Sequence, residues 1–70
     1  MDRDQIVSRS HDVMNGALVF AGTRVPVETL IQHLAAGDSL ETFLKDFPSV
    51  TRDQAVAYLE MTLREVESTT

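Results

Sequence analysis

The sequence predicts a single, mainly α-helical domain in which a short β element precedes three helices. Apolar residues after position 26 recur at helical spacing in three separate runs. A short run rich in Val and Phe lies before them, next to an Asn-Gly turn. A chain of 70 residues has room for one domain. We therefore assign residues 1–70 to a single domain, with a β-type dimerisation element at 6–21 and a three-helix cluster at 26–67.

The β element is expected to form an antiparallel ribbon that ends with the apolar run 17–21. Asn15-Gly16 favours a turn before this run, because both residues tolerate positive φ. The partner strand is either 11–14, in a tight hairpin, or 6–8, in a wider one that we favour because its apolar pair needs burial. Since a two-stranded ribbon is marginal in water, we expect it to join two copies in a homodimer. The residues expected at that interface are Ile6, Val7, Leu18, Val19 and Phe20.

Helix one is predicted to begin at Pro26, whose missing N–H is no loss at the first helical position. Its apolar face is formed by Val27, Leu30, Ile31 and Leu34. We expect a set of residues to shape turns, with Thr23 also capping helix one and Gly37 ending it. This set is Gly16, Gly22, Thr23, Pro26 and Gly37.

Helices two and three carry clear start signals. Asp38 or Ser39 is the expected N-cap of helix two, and Pro48 ends it. The segment 51–54 reads Thr-x-x-Gln, the pattern of a capping box that opens helix three. The expected core stripe of helix three is Val56, Leu59, Leu63 and Val66. Helix two, the turn and helix three together have the spacing of a helix-turn-helix unit.

The charge balance excludes several protein classes. The net charge is −5; residues 1–35 hold four acidic and three basic residues, and residues 36–70 hold seven acidic and three basic ones. This balance disfavours avid non-specific binding to nucleic acid or to an anionic membrane. No apolar run approaches the roughly 20 residues of a membrane span, and the N-terminus lacks a signal-peptide pattern. We expect a cytoplasmic protein.

Catalytic chemistry has little support in the sequence. There is no cysteine, which excludes disulfides and thiolate metal sites. His11 and His33 lie on different predicted elements and have no metal-ligand spacing. A domain of this size rarely encloses an active-site pocket. We therefore expect a binding protein that is not an enzyme and has no metal or cofactor.

Several strings in the sequence together resemble a known bacterial family. They are Gly16, Gly22-Thr23-Arg24-Val25-Pro26-Val27, Leu34-Ala35-Ala36-Gly37-Asp38-Ser39, Asp46-Phe47-Pro48 and Thr51. They are similar, over roughly residues 6–66, to the domain of unknown function 433 family, whose members are described as antitoxin-like. The resemblance implies a homeodomain-like tri-helical fold with an N-terminal β element. It also implies the role of antitoxin in a type II toxin–antitoxin pair, beside a PIN-like nuclease toxin.

The first set of candidate binding residues concerns DNA. Arg24 has two readings: it ties the strand-to-helix corner to a carboxylate or carbonyl, or it binds a phosphate or an acidic partner site. At the start of helix three, Arg52 and Gln54 suit guanine and adenine edges. The candidate contacts to operator DNA are Arg24, Arg52, Gln54 and Tyr58.

The second set concerns a protein partner. Ala57, Tyr58 and Met61 form an apolar group away from the expected core stripe, which suggests a contact surface. Acidic residues nearby suit the basic RNA-gripping face of a nuclease. The expected contacts to a PIN-like toxin are Ala57, Glu60, Met61, Arg64, Glu65 and Glu67. The leading function is therefore an antitoxin that neutralises such a toxin. The alternatives are a helix-turn-helix transcription regulator, which would autoregulate its operon, and a dimeric adaptor without a toxin.

Overall fold

The structure, a computed structural model, describes residues 1–13 and 16–69. The chain begins with a single helical turn, α1 (Arg3–Ile6), followed by strands β1 (Val7–Ser10) and β2 (Ala17–Phe20). Three longer helices complete it: α2 (Val27–Ala35), α3 (Leu40–Asp46) and α4 (Arg52–Thr69). The mainly helical class with a small N-terminal sheet is confirmed, and α1 is an addition to the prediction.

The sheet is formed by the wider of the two predicted hairpins, with a shifted first strand: Ile6 ends α1, and the strand runs from Val7 to Ser10. β1 pairs with β2 in antiparallel register, with Val7 opposite Phe20 and Ser10 opposite Ala17. Gly16 has φ +94° where the chain enters β2, whereas Asn15 of the predicted turn lies outside the described residues. An isolated bridge joins Val19 to Pro26, so the segment that leads into α2 is held against the sheet.

Helix α2 begins one residue later than predicted. Pro26 is its N-cap, with extended backbone at φ −62° and ψ 138°. At the other end, Gly37 has φ +92°, and its N–H donates to the Leu34 carbonyl at 3.1 Å. The Asp38 N–H donates to the His33 carbonyl at 2.9 Å. These two bonds form a Schellman motif, which satisfies carbonyls that the end of a helix leaves without partners.

The N-caps of α3 and α4 use hydroxyl side chains, as predicted. Ser39 Oγ accepts a hydrogen bond from the Thr42 N–H at 3.1 Å, which identifies Ser39 as the N-cap of α3. Thr51 Oγ1 accepts one from the Gln54 N–H at 3.1 Å. Each bond provides a partner for one N–H of a first helical turn, which no carbonyl of the helix itself can reach.

Aromatic rings fill the core between the sheet and the helices. Phe20, Leu30 and Phe43 have no exposed surface. The Phe20 ring lies 6.1 Å from the Phe43 ring and 5.6 Å, edge to face, from the Tyr58 ring. Edge-to-face and tilted contacts of this kind add to the burial energy of the rings. β2, α3 and α4 are therefore joined through one aromatic cluster.

The predicted core stripe of α4 is wrong. Of its four members, Val56 is 36%, Leu63 59% and Val66 61% exposed, and only Leu59 is half-buried against the core. α4 instead buries Ala55 and Tyr58, together with Gln54. The apolar residues of α4 form two faces, and the face with the tyrosine ring packs against Phe20. The other face is left open to solvent.

Candidate partner-binding site

An open groove of about 350 Å³ runs between α1 and α4. Arg3 positions α1 on this helix: its Nη1 lies 3.6 Å from Glu65 Oε1 and 3.5 Å from Met61 Sδ. The residues that line the groove are Met1, Arg3, Ile6, Ala57, Glu60, Met61 and Arg64. Four of the six residues expected to bind a partner, namely Ala57, Glu60, Met61 and Arg64, therefore lie around one groove.

A second hollow, of about 360 Å³, continues along the same face of α4. It is lined by Met1, Arg52, Asp53, Val56, Ala57 and Glu60. Ala57 and Glu60 belong to both hollows, so the two are adjacent. The face of α4 from Arg52 to Arg64 is concave and accessible.

The charges along this face are largely unpaired. Glu60 and Arg64 stand four residues apart, a spacing that favours pairing, but neither forms an ion pair with any described residue. Asp53 is exposed at the start of the helix and likewise has no ion pair in the described ranges. The two other acids of the predicted partner set differ from them: Glu65 contacts Arg3, and Glu67 is exposed near the end of α4.

Gln54 serves the fold, and the prediction that it reads bases is wrong. Its side chain is only 6% exposed, and its Nε2 donates to the carbonyl oxygens of Ala21, at 2.8 Å, and Gln5, at 3.2 Å. A longer contact of 3.4 Å reaches the Ile6 carbonyl. The amide donors are used by the backbone of the N-terminal segment, which also explains why the capping box with Thr51 is only half formed.

Tyr58 is also part of the core, so its predicted roles in DNA and surface contact are wrong. Only 9% of the residue is exposed, and its ring packs against Phe20. Burial, and secondarily the negative charge of Glu65, raise the pKa of the Tyr58 phenol above its ordinary value of 10.0. Both effects disfavour the phenolate, since it would add a charge in a poorly solvated place near a carboxylate.

The corner between β2 and α2 is fixed by Thr23 and leaves Arg24 exposed. Thr23 Oγ1 donates to the Phe20 carbonyl at 2.8 Å and accepts from the Val25 N–H at 3.1 Å. Thr23 therefore locks the turn and does not cap α2. The Arg24 side chain makes no hydrogen bond or ion pair with residues 1–13 or 16–69, so the reading in which it ties the corner together is wrong.

Arg52 stays at the surface, but it has a partner. Its Nη1 contacts Glu41 Oε1 of α3, which ties the start of α4 to the preceding helix. Of the four predicted DNA contacts, only Arg24 and Arg52 are accessible, and exposed Asp53 stands beside Arg52. The structure therefore does not bring the four predicted DNA residues together on one surface.

The side chains expected at a dimer interface lie mostly within the single chain. Ile6, Val7, Val19 and Phe20 are each at most 5% exposed, and Leu18 is half-buried against the same core. These side chains complete the core that α4 and the ribbon share, which accounts for their apolar character without a second copy. In the described sheet β2 is also bridged to Pro26, so the outer edge of β1 is the edge of the ribbon without a strand partner.

The sequence did not indicate the places of Arg3, Met1 and His33 in the structure. Arg3 and Met1 line the groove. The sequence did not indicate this because α1, a helix of four residues, is too short to show a helical period. The ring of His33 packs edge-on against Phe43 and Phe47, each 5.6 Å away. Its buried Nδ1 lies 3.2 Å from Asp38 Oδ2 without the geometry of a hydrogen bond. The signal available for Asp53 was its spacing of seven residues from Glu60.

In the part of the chain that the structure describes, no helix is long and apolar enough to cross a membrane. Within the same residues, no cluster of three or more His, Asp and Glu side chains is placed to hold a metal ion. The face of α4, with its two adjacent hollows, is a candidate binding surface of the described residues.

The chain is similar to other proteins over most of its length. An uncharacterized protein, y4eO, from Sinorhizobium fredii (strain NBRC 101917 / NGR234) is 40% identical over 50 residues, which are 71% of this chain and 23% of that protein. The chain therefore spans about a quarter of the length of this relative. No solved structure matches. The family described as "Protein of unknown function (DUF433)" matches residues 7–60. Because this match covers well over half of the sequence, the chain belongs to the DUF433 family of proteins of unknown function.

Proposed function

We propose that this protein is an antitoxin-like binding protein that neutralises a PIN-like nuclease toxin. The observation that carries the proposal is a pair of acids on the accessible face of α4, Asp53 and Glu60, which are exposed and form no ion pair with a described residue. The family resemblance adds the expected partner, a PIN-like nuclease encoded nearby. The groove between α1 and α4 gives that partner a concave surface to enter.

The chemistry of a nuclease supports this pairing. A protein that grips RNA neutralises phosphates with Lys and Arg, so its binding face is basic. Exposed carboxylates such as Glu60 can pair with those side chains in place of phosphate. The excess of acidic residues in the whole chain, which has a net charge of −5, also accelerates the encounter with a basic protein. Acidity and open shape together favour a protein partner over a nucleic acid.

A growth assay tests this function directly. The PIN-like nuclease encoded beside the protein is induced in a bacterial host with or without the chain, and we expect growth only when the chain is present. Glu60→Lys should reduce protection, whereas Glu28→Lys, the same charge change at an exposed position of α2, should not. Arrested growth despite soluble wild-type chain would contradict the proposal, and so would equal protection by both variants.

We also propose that the protein forms a homodimer through the ribbon at 6–21, in this case by backbone pairing. β1 pairs only with β2 in the described sheet, so its other edge is open. An open edge is a template for another strand. Light scattering of the purified chain should then give about twice 7.8 kDa, and a mass of one chain at micromolar concentration would contradict the dimer.

A second candidate function is a helix-turn-helix regulator with a homeodomain-like arrangement of α2, α3 and α4. The exposed Arg24 guanidinium, which has no partner in the described residues, favours it, because an unpaired Arg suits a phosphate. A gel shift with the protein's own upstream DNA at low salt tests this function. A shift that Arg24→Gln weakens would support it, and no shift at micromolar protein would remove it.

A further inference from the structure

We propose that the outward face of α4 is a docking seam for an amphipathic helix of a partner protein, and that this helix carries Lys or Arg along one flank. The inference rests on the proposed function, because it specifies how the neutralised nuclease is held. It is carried by two rows of side chains on α4, one apolar and one acidic. The apolar row is Val56, Leu59, Leu63 and Val66.

The apolar row has the spacing of a two-helix seam. Its members follow one another at intervals of three, four and three residues, the a and d positions of a heptad. Leu63 and Val66 are more than half exposed, and Val56 is 36% exposed. A row of large apolar side chains at this spacing on a soluble surface is typical of a helix-binding face.

The second half of the row is exposed to solvent. Every described side chain from 63 to 68 is exposed, whereas Met61 and Thr62, just before them, are half-buried. A partner helix therefore meets no obstacle along this segment.

The acidic row runs along one flank of the apolar row. Asp53, Glu60 and Glu67 are spaced by seven residues, so they occupy equivalent positions on successive pairs of turns. Asp53 and Glu60 form no ion pair with any described residue, although Arg64 lies beyond them on the same side. In two-helix seams, charges at such flanking positions select the partner. This row selects a helix with positive side chains.

A second copy of α4 fits the seam poorly. In an antiparallel pair, the acidic row of one copy would face that of the other, and like charges would repel. In a parallel pair, it would face Ala55 and Thr62, which offer no positive charge. The same row of negative charges would repel an anionic membrane and a nucleic acid. A basic amphipathic helix matches both rows at once.

Synthetic peptides and the full chain test the seam. Two peptides of about three heptads share Leu at a and d and differ in having Lys or Glu at the flanking positions. Fluorescence anisotropy should show binding of the Lys peptide, with affinity at least about tenfold higher than that of the Glu peptide. Leu63→Gln should weaken binding about tenfold, whereas the matched variant Ile31→Gln, an exposed apolar position on α2, should not.

Distinct results would overturn the inference. Equal affinity for the two peptides, no binding of either, or binding that Leu63→Gln leaves unchanged would each do so. A wild-type dimer that Leu63→Gln converts to a monomer would assign the seam to a second copy. In the nuclease growth assay, full protection by Leu63→Gln would leave the antitoxin function standing and remove the seam. Peptide binding that depends on Leu63, together with no protection by the wild type, would support the seam and remove the antitoxin function.

Discussion

The side-chain amide of Gln54, in the first turns of α4, donates a 2.8 Å hydrogen bond to the carbonyl oxygen of Ala21, just past the end of β2. The same nitrogen reaches the Gln5 carbonyl at 3.2 Å. One buried side chain therefore joins the longest helix to both ends of the N-terminal segment. A residue that has the right chemistry to read adenine is used here to hold the fold together.

Gln54→Ala should lower the free energy of unfolding by about 1–3 kcal/mol, because buried carbonyls lose their donor. The matched control is Gln32→Ala on α2, whose exposed side chain makes only a 3.4 Å contact with Glu28. Its effect should stay within about 0.5 kcal/mol. Urea denaturation measures both values. Equal stability of the two variants would show that the Gln54 amide does not hold the segment.

The raised pKa of Tyr58 makes stability depend on alkaline pH. The folded pKa lies above the unfolded value near 10.0, so the phenol contributes stability that is fully present below that value. This contribution is lost as the pH rises through the folded pKa. Tyr58→Phe should flatten the fall in melting temperature in this range.

The same effect can be read by spectroscopy, because Tyr58 is the single tyrosine and there is no tryptophan. The phenolate absorbance of the folded chain should titrate at higher pH than that of the chain unfolded in urea. A folded-state pKa at or below the unfolded one would contradict the burial of this ring.

Thr23 and Arg24 are neighbours with opposite expected effects. Thr23→Val removes the hydroxyl that bonds to the Phe20 carbonyl and to the Val25 N–H, and should cost about 1–3 kcal/mol. Arg24→Gln should leave the melting temperature nearly unchanged, since the guanidinium has no partner in the described residues. Thermal unfolding followed by circular dichroism compares them. A large fall in melting temperature for Arg24→Gln would show that Arg24 stabilises the corner between β2 and α2.

Gly37→Ala should destabilise the protein by about 1–2 kcal/mol through the backbone alone. Gly37 has φ +92°, and no atom would lie within 4 Å of an added Cβ, so steric crowding plays no part. Ala35→Gly is the reciprocal control at the last residue of α2, where an exposed helical position should lose at most about 1 kcal/mol. A neutral Gly37→Ala would contradict the Schellman end of α2.

Local signals in the sequence predicted the elements well. Ser39 and Thr51 predicted the starts of α3 and α4 because an N-cap acts within a few residues. The need to bury an apolar pair likewise favoured the wider hairpin, in which Val7 pairs with Phe20. α1 was missed, since four residues are too few to show a period.

The same signals failed where the outcome depended on packing between distant residues. Periodicity identified an apolar stripe with Val56 and Leu63 on α4. It did not show that a different face of α4, the one that carries Tyr58, packs against Phe20 in the core. For the same reason, Gln54 resembled an accessible base reader, although the carbonyls it meets lie more than 30 positions away. The sequence grouped Ala57, Glu60 and Met61 because they lie close together along the chain, and the structure places all three along one groove.

The most direct test of the account is the affinity of the purified chain for the PIN-like nuclease that we propose as its partner, measured by calorimetry for the wild type, Glu60→Lys and Glu28→Lys. We predict one nuclease bound per chain and an affinity that falls with salt, because charged surfaces meet. We also predict a loss of about tenfold or more for Glu60→Lys, with Glu28→Lys close to the wild type. No binding to an active nuclease, or equal losses in the two variants, would contradict the claim that the face of α4 around Glu60 is the partner site.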